Sequence, residues 1–279
     1  MPRNYSRRRS SSKKAKRTTK KKSIRQPKSK KMRGGVTVKA QDLQRLNPDV
    51  IGEISEMHPL LTKKLTNTTL RYAVKYYCAN WYSKMAMIRK YGKINDWDVS
   101  KVTNMSSMFE GATSFNEPLN KWNVSNVTNM YRMFYGANSF NQPLNKWNVS
   151  NVTKMRYMFD VARSFNQPLN KWNVSNVTEM CYMFHNAESF NQPLNKWNVS
   201  NVTSMCGMFW GAESFNQPLN NWNVSKVEYI LSMFKNARSF NQSLNNWDVS
   251  NVEYMDDNVF EEAISFNQPL HAPWYNPLL

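Results

Sequence analysis

The sequence has few of the residues on which enzyme sites and disulfide-rich folds depend. Its 279 residues include three cysteines and three histidines, and the histidines His58, His185 and His271 stand in unrelated surroundings. A small, odd number of cysteines does not indicate a disulfide framework. We find no zinc-ligand spacing, no glycine-rich phosphate loop and no nucleophile with a partnered base. We therefore predict a protein that is not an enzyme and uses no cofactor and no metal.

Acidic residues are missing from residues 1–35, which hold 16 Lys or Arg residues. The formal net charge is +19, and after Gly35 there remain 22 basic against 19 acidic residues, or +3. A segment so charged and so poor in apolar groups is expected to be a disordered basic tail. It would bind phosphates without base specificity, act as a nuclear address, or only improve solubility. The residues concerned are Arg7, Arg8, Arg9, Lys13, Lys14, Lys16, Arg17, Lys20, Lys21 and Lys22.

Long apolar runs are also missing, both the stretch of a secretory signal and any run that would span a bilayer. We expect an intracellular protein that is not secreted. The nucleus and a virion are the two more specific alternatives. We expect it to be a monomer with no membrane span. With 41% hydrophobic residues the chain has enough apolar material for a sizeable core.

Residues 36–93 have the periodicity of amphipathic helix. Apolar residues recur there at mostly three- and four-residue steps, for example at Leu70, Val74 and Tyr77. Asn47 before Pro48 is a candidate N-cap. We predict a helical N-terminal cap over this range.

From Ile94 onward the chain repeats itself at a constant interval. The marker is Trp, which stands at positions 97, 122, 147, 172, 197, 222 and 247 and so defines a 25-residue period. A period of about 20 to 29 residues is typical of leucine-rich-type solenoids. We predict a seven-repeat solenoid over residues 94–270 and a C-terminal cap over residues 271–279. The last repeat departs from the pattern by one inserted residue between Met255 and Phe260, and the C-terminal cap contains two prolines.

Within one repeat the apolar spacing changes halfway. Met105, Met108, Phe109 and Ala112 follow the i, i+3, i+4, i+7 pattern of a short helix, with Thr103 as its N-cap. Trp122 and Val124 alternate as strand residues do. The predicted fold is thus an α/β repeat solenoid, leucine-rich-repeat-like, with one short parallel strand and one short helix per 25-residue coil.

Two cysteines occupy equivalent places in adjacent repeats, Cys181 and Cys206. If neighbouring coils pack helix against helix at about 8 to 10 Å, their Cα atoms are too far apart for a disulfide. We predict two free thiols.

The recurring asparagines admit a ligand array as one interpretation and a structural ladder as the other. An Asn at each corner of a coil can hydrogen-bond backbone groups of its own and the next coil, which favours the structural interpretation. The positions are Asn116, Asn141, Asn166, Asn191 and Asn216, and also Asn120, Asn145, Asn170, Asn195 and Asn220.

Variation between the copies concentrates on the face of the predicted helix that lies opposite the core. Aromatic residues and arginine, which dominate interface hot spots, collect there. Drift at unconstrained solvent positions is the competing interpretation. We predict an exposed strip that binds a protein partner, formed by Tyr131, Arg132, Tyr135, Arg156, Tyr157, Tyr182, His185 and Trp210.

The stretch "WDVSKVTNMSSMFEGATSFNEPLNKWNVSNVTNM" resembles a repeat family of unknown function. This family occurs in mycoplasma and other bacterial surface proteins of the BspA-like, leucine-rich-repeat type, and in large DNA viruses of protists. The resemblance covers residues 94–270. It implies a parallel solenoid used for adhesion or protein binding, with no catalytic residues. The missing signal segment favours a viral or intracellular setting over cell-surface adhesion.

A second stretch, "LNPDVIGEISEM" at Leu46 to Met57, followed by "TLRYAVKYYCANWYSKM", is similar to the start of an F-box. That resemblance implies docking on a ubiquitin-ligase adaptor. A helical cap explains the same residues. Three hypotheses follow: a protein-binding repeat scaffold with a targeting or nucleic-acid-binding tail, an F-box-like substrate adaptor, and a virion-associated structural protein that binds nucleic acid.

Overall fold

The computed structural model describes residues 64–267 and 272–275. The chain divides into the units Met1–Leu46 and Asn47–Leu279, and all described residues belong to the second. The predicted basic tail, the Asn47 N-cap and residues 36–63 of the predicted cap, which include the F-box-like residues Leu46 to Met57, lie outside the described residues; the second F-box-like stretch, residues 69–85, lies within them.

Two helices open the described part of the chain, α1 (Asn67–Ala79) and α2 (Trp81–Tyr91), followed by a 3₁₀ helix at Ile94–Asp96. Thr66 and Thr69 form a capping box that satisfies the first amides of α1. The Asn80 side chain accepts the Ser83 amide at the start of α2. Asn80 is extended, and it turns the chain from one helix into the next.

Helix α1 covers the first coil of the repeat region. The Leu65 amide donates to the Asp98 carbonyl at 2.8 Å. The Asn67 carboxamide oxygen accepts the Thr103 and Asn104 amides at 2.9 and 3.1 Å. The apolar face of α1 is buried, and Tyr77 meets the Trp97 ring edge-on at 5.6 Å. Helix α1 thus supplies the first coil with the hydrogen-bond partners that a preceding coil supplies elsewhere.

Beyond Asp96 the described residues form neither an α-helix nor an extended strand, but turns and single-residue parallel bridges. The predicted short strand at Trp122 and Val124 is therefore wrong, because Trp122 ends the turn that begins at Leu119 and Val124 begins the turn that ends at Val127. Parallel pairing falls instead on one residue per coil. The paired positions, each one repeat after the last, are Asn104, Asn129, Lys154, Glu179, Ser204, Tyr229 and Tyr254.

The predicted helix at Met105 to Ala112 is also wrong, because this segment consists of two consecutive four-residue turns. The Met108 amide donates to the Met105 carbonyl at 3.2 Å, and the Ala112 amide to the Phe109 carbonyl at 3.1 Å. The buried residues are the first and last of each turn, which gives the same i, i+3, i+4, i+7 spacing as a helix. Thr103 is therefore not a helix N-cap, and its amide donates to the Asn67 side chain instead.

Alternate amides of the turn segment are bonded to the next coil. From Met105 to Gly111, every second amide donates to a carbonyl of the following repeat, each at 2.8 Å. A helix would have used these amides internally, whereas here they hold coil to coil. The ladder recurs along the repeats. The residue inserted near the end lies between Tyr254 and Val259, and after it the carbonyl that accepts each amide is shifted by one position.

The core between the turns consists of stacked identical rings. Phe159 lies over Phe184 at 5.7 Å with 6° between the planes, and Trp172 over Trp197 at 6.4 Å and 2°. Each Trp also donates its indole N–H to a carbonyl of an earlier coil, as Trp172 does to Leu144 at 3.0 Å. Trp274 stacks on Trp247 at 6.0 Å and closes the described end of this column.

The asparagine ladder predicted at the coil corners is confirmed for the first series of positions. The Asn141 amide donates to the Asn116 side-chain oxygen at 2.9 Å, and the Gln142 side chain donates to the same oxygen. The pattern repeats at Asn166, Asn191 and Asn216. In the second series the Asn220 side chain accepts the Asn246 amide at 2.9 Å.

Over the described ranges, neither α1 nor α2 combines the length and the apolarity that crossing a bilayer requires.

Candidate functional site

The eight predicted binding residues all lie at the outer corners of the turns. The ends of each turn point into the core, so the second and third residues point away from it. Tyr131 and Arg132 are the corners of the turn between Met130 and Met133, and all eight side chains are half-buried. We call this set the aromatic strip: Tyr131, Arg132, Tyr135, Arg156, Tyr157, Tyr182, His185 and Trp210.

Arg132 is the centre of one half of the strip. Its guanidinium carbon lies 5.2 Å from the ring centroids of both Tyr131 and Tyr135, and 5.1 Å from that of Tyr157. Glu110 approaches the same guanidinium at 3.8 Å. Three aromatic faces around one cation hold the side chain in a defined position.

Arg156 and Tyr157 continue the strip into the next coil. Arg156 donates to the Tyr157 hydroxyl at 3.0 Å and also lies over its ring at 4.8 Å. Tyr157 stacks on Tyr182 at 5.0 Å with 5° between the planes. Burial acts against the charge of Arg156, but the hydrogen bond to Tyr157 and the electrostatic interactions with Tyr157, Cys181 and Glu179 together outweigh it, so the pKa of the guanidinium is raised. Arg156 therefore remains a cation.

His185 and Trp210 form the other end. His185 Nδ1 lies 2.8 Å from Asp160 Oδ1, and Asp160 is only 3% exposed. The His185 ring packs on Trp210 at 5.1 Å, and the Lys235 ammonium lies 5.3 Å from the centroid of Trp210. Tyr182, 6.5 Å from Trp210, joins the two halves. All eight residues are thus connected by direct contacts.

Two contributors to the strip were not among the predicted site residues, Asp160 and Lys235. Both occupy the same variable slot as Tyr135, His185 and Trp210, so the variation between copies already contained the signal. The prediction omitted them because it was based on aromatic side chains and arginine. Their roles depend on neighbours in the adjacent coil, because they set the orientation of His185 and of the Trp210 ring.

Several strip residues occupy a backbone conformation that disfavours them. Arg132, Tyr157 and Tyr182 have φ values of 54, 59 and 57°. These are third positions of turns, where a positive φ is required and glycine fits best. The next copy has Gly207 in this slot, and a Cβ added there would lie 2.4 Å from the Tyr182 ring. Three repeats thus carry a large side chain at this position, where the following repeat has a glycine.

Beside the strip lie the two thiols, Cys181 and Cys206, which are free as predicted. The predicted separation of their Cα atoms assumed packed helices. That prediction is wrong, because the coils here are joined by backbone hydrogen bonds rather than by helix packing. Ser204 Oγ is 2.8 Å from Cys181 Sγ and 3.6 Å from Cys206 Sγ. The hydrogen bond from the Cys181 thiol, aided by Ser204 and the Leu231 amide, lowers the pKa of Cys206 to about 6.

The basic residues predicted to contact nucleic acid or to direct nuclear import, Arg7 to Lys22, lie outside the described residues.

Comparison with models of known protein families identifies the family of this chain. A model of a repeat family matches residues 78–192 and 168–274, which together include most of the chain. Searches among curated proteins and among solved structures found no match. The resemblance noted in the sequence is thereby confirmed at the level of the family. The chain belongs to the family described as "Mycoplasma protein of unknown function, DUF285".

Proposed function

We propose that this protein is a non-enzymatic repeat scaffold that binds a protein partner through the aromatic strip. In this proposal the stacked coils form a leucine-rich-repeat-like solenoid, in which consecutive turns take the place of the helix. The coils supply a rigid base, and the corners of the turns supply the contacts. The basic tail, residues 1–35, serves nuclear targeting or contact with nucleic acid.

One observation carries the proposal: Arg132, Tyr157 and Tyr182 have positive φ. A left-handed conformation costs a residue with a Cβ about 1 kcal/mol or more relative to glycine. Drift at unconstrained positions would be expected to favour small residues at this slot, as in Ser107, Gly207 and Ser232. Retaining large planar side chains there supports a use for the side chains themselves.

The chemistry of the strip favours a partner that offers carboxylates. Arg132 and Arg156 present half-buried guanidinium groups flanked by tyrosine rings, and Lys235, which is paired with Glu261 of the same chain, lies beside Trp210. Partly desolvated guanidinium groups form strong, geometrically specific pairs with carboxylates. Rings that are already packed lose little conformational freedom on binding. We therefore propose an acidic protein segment as the occupant.

The test is crosslinking of the full chain in its native cell, with variants that copy residues found elsewhere in the same chain. The strip variant carries Tyr131→Ser, Tyr157→Gly and Tyr182→Gly, which are the residues of Ser106 and Gly207 at the equivalent slots. The control variant carries Lys146→Asn, Lys171→Asn and Lys196→Asn, as in Asn221 and Asn246. The control residues are exposed and lie outside the strip.

We expect one crosslinked protein partner to be lost in the strip variant and kept in the control. An unchanged set of partners in the strip variant contradicts the proposal. Recovery of a ubiquitin-ligase adaptor that depends on Leu46 and Ile54 would instead favour the F-box-like adaptor. For the tail, deletion of residues 1–35 should abolish nuclear import or a salt-sensitive binding to DNA, because phosphate contacts weaken as salt rises.

A further inference from the structure

Cys181 and Cys206 occupy the same turn corner in consecutive coils. The bonds on either side of them are formed: Met180 N–H donates to the Ser204 carbonyl at 2.9 Å, and Tyr182 N–H donates to the Cys206 carbonyl at 2.8 Å. Strands joined in this way lie about 4.8 Å apart. Disulfides join Cα atoms separated by about 4.4 to 6.8 Å. The backbone therefore places the two cysteines within the range of an inter-coil disulfide.

The two sulfurs differ in their access to solvent. Cys181 is buried, with 5% of its surface exposed, whereas Cys206 is half-buried. A small reagent from solvent meets Cys206 first. Cys181 is positioned to react with an oxidised Cys206 rather than with a reagent from solvent.

The surroundings of Cys206 favour the thiolate. In the first two coils the amide at the slot of Leu231 is taken by an asparagine two residues earlier, as when Tyr131 donates to Asn129 at 2.9 Å. The corresponding residue before Leu231 is Tyr229, whose side chain offers no amide oxygen. The Cys181 thiol, Ser204 and the Leu231 amide together lower the pKa of Cys206. Hydrogen bonds to sulfur stabilise the charged form.

We propose that Cys181 and Cys206 form a peroxide-reactive dithiol that closes to a disulfide between adjacent coils. The Cys206 thiolate attacks one oxygen of a hydroperoxide, the O–O bond breaks, and the second oxygen leaves with a proton as an alcohol or as water. Cys206 is then a sulfenic acid. The Cys181 sulfur attacks it, the S–S bond forms, and the hydroxide leaves with the Cys181 proton as water. Overall two thiols are oxidised and one hydroperoxide is reduced.

The test treats the full chain with hydrogen peroxide and maps the thiols by mass spectrometry after trypsin. Cleavage at Lys171, Lys196 and Lys226 places the two cysteines in separate peptides, residues 172–196 and 197–226. We expect these peptides to become linked, while Cys78 stays reduced. Dithiothreitol should restore both thiols.

Single substitutions assign the roles. With Cys181→Ser, oxidation should stop at the Cys206 sulfenic acid, which dimedone traps. With Cys206→Ser, Cys181 should stay reduced at the same dose. Cys78→Ser is the matched control, and it should leave the linked peptides unchanged.

Three outcomes would overturn the proposal. They are oxidation of Cys78 as fast as that of the pair, conversion of Cys206 to higher oxides without a link, and links between chains rather than within one.

Discussion

At the scale of single residues, backbone conformation at the turn corners decides which side chains are tolerated. The third residue of the second turn in each coil has positive φ, and the chain mostly uses Gly or Asn there, as at Gly136 and Asn236. Val161 stands in the same slot with φ of 57°. A β-branched side chain is a clear outlier in the left-handed region. Val161 therefore stores strain that its equivalents avoid.

Replacing Val161 by Asn should stabilise the protein. Asn tolerates positive φ better, so the free energy of unfolding should rise by about 1 kcal/mol. Urea unfolding followed by tryptophan fluorescence measures this as a higher midpoint. The matched control is Asn236→Val, which should lower the midpoint by a similar amount. A midpoint that falls with Val161→Asn contradicts the strain argument.

The thiols should differ in their response to pH. Although Cys78 is an exposed residue, desolvation of its thiol is the main cause that raises its pKa to about 11, whereas hydrogen bonds, first among them that from Cys181, lower the pKa of Cys206 to about 6. The thiolate forms as pH rises through the pKa, and only the thiolate is alkylated rapidly. At neutral pH iodoacetamide should therefore modify Cys206 well before Cys78. The rate at Cys206 should reach half of its maximum near pH 6 and level off about one pH unit above that. Earlier modification of Cys78 would count against these environments.

At the scale of the element, the coil is a series of turns whose ends are buried and whose corners face outward. The i, i+3, i+4, i+7 pattern correctly selects Met105, Met108 and Phe109 as buried, with Ala112 partly buried. It fails to distinguish a helix from two consecutive turns, because both bring the same residues to one face. The distinction depends on where the amides donate, and here alternate amides donate to the next coil. Periodicity contains no information on that choice.

The asparagine corners should matter for stability in proportion to the bonds that they accept. Asn166 accepts the Asn191 amide at 2.9 Å and the Gln192 side chain at 3.0 Å. Asn166→Ala leaves that amide without its partner, at a cost of about 1 to 3 kcal/mol. Asn166→Asp keeps an acceptor and should cost less. Urea midpoints for the two variants give the comparison, and equal losses would show that the acceptor is not the source of the effect.

At the scale of the whole molecule, the strict period makes each coil an exchangeable unit. Stability in such arrays is close to a sum over coils and their interfaces. Removing residues 165–189, one full period, keeps every buried turn end in register with its neighbours. The shortened chain should fold with its tryptophans still stacked, and near-UV circular dichroism would report this.

The control for that deletion removes one residue fewer, residues 165–188. Each later coil then joins its predecessor one residue out of register at the junction, which brings corner residues toward the core. We expect loss of the near-UV signal and rapid proteolysis of the region after the junction. Equal stability of the two deletions would argue against a register fixed by the core.

Sequence alone determined the repeat period, the family, the buried positions and the variable positions, because burial and repetition are properties of residue type and spacing. The sequence also indicated the aromatic strip, since variation between copies is visible without coordinates. Only the tertiary structure decided that the coil is built of turns, that Asp160 and Lys235 join the strip, and that Cys181 and Cys206 face each other. All three depend on contacts between residues of different coils. Their geometry is set by which amide bonds to which coil, and this becomes defined only when the coils are stacked.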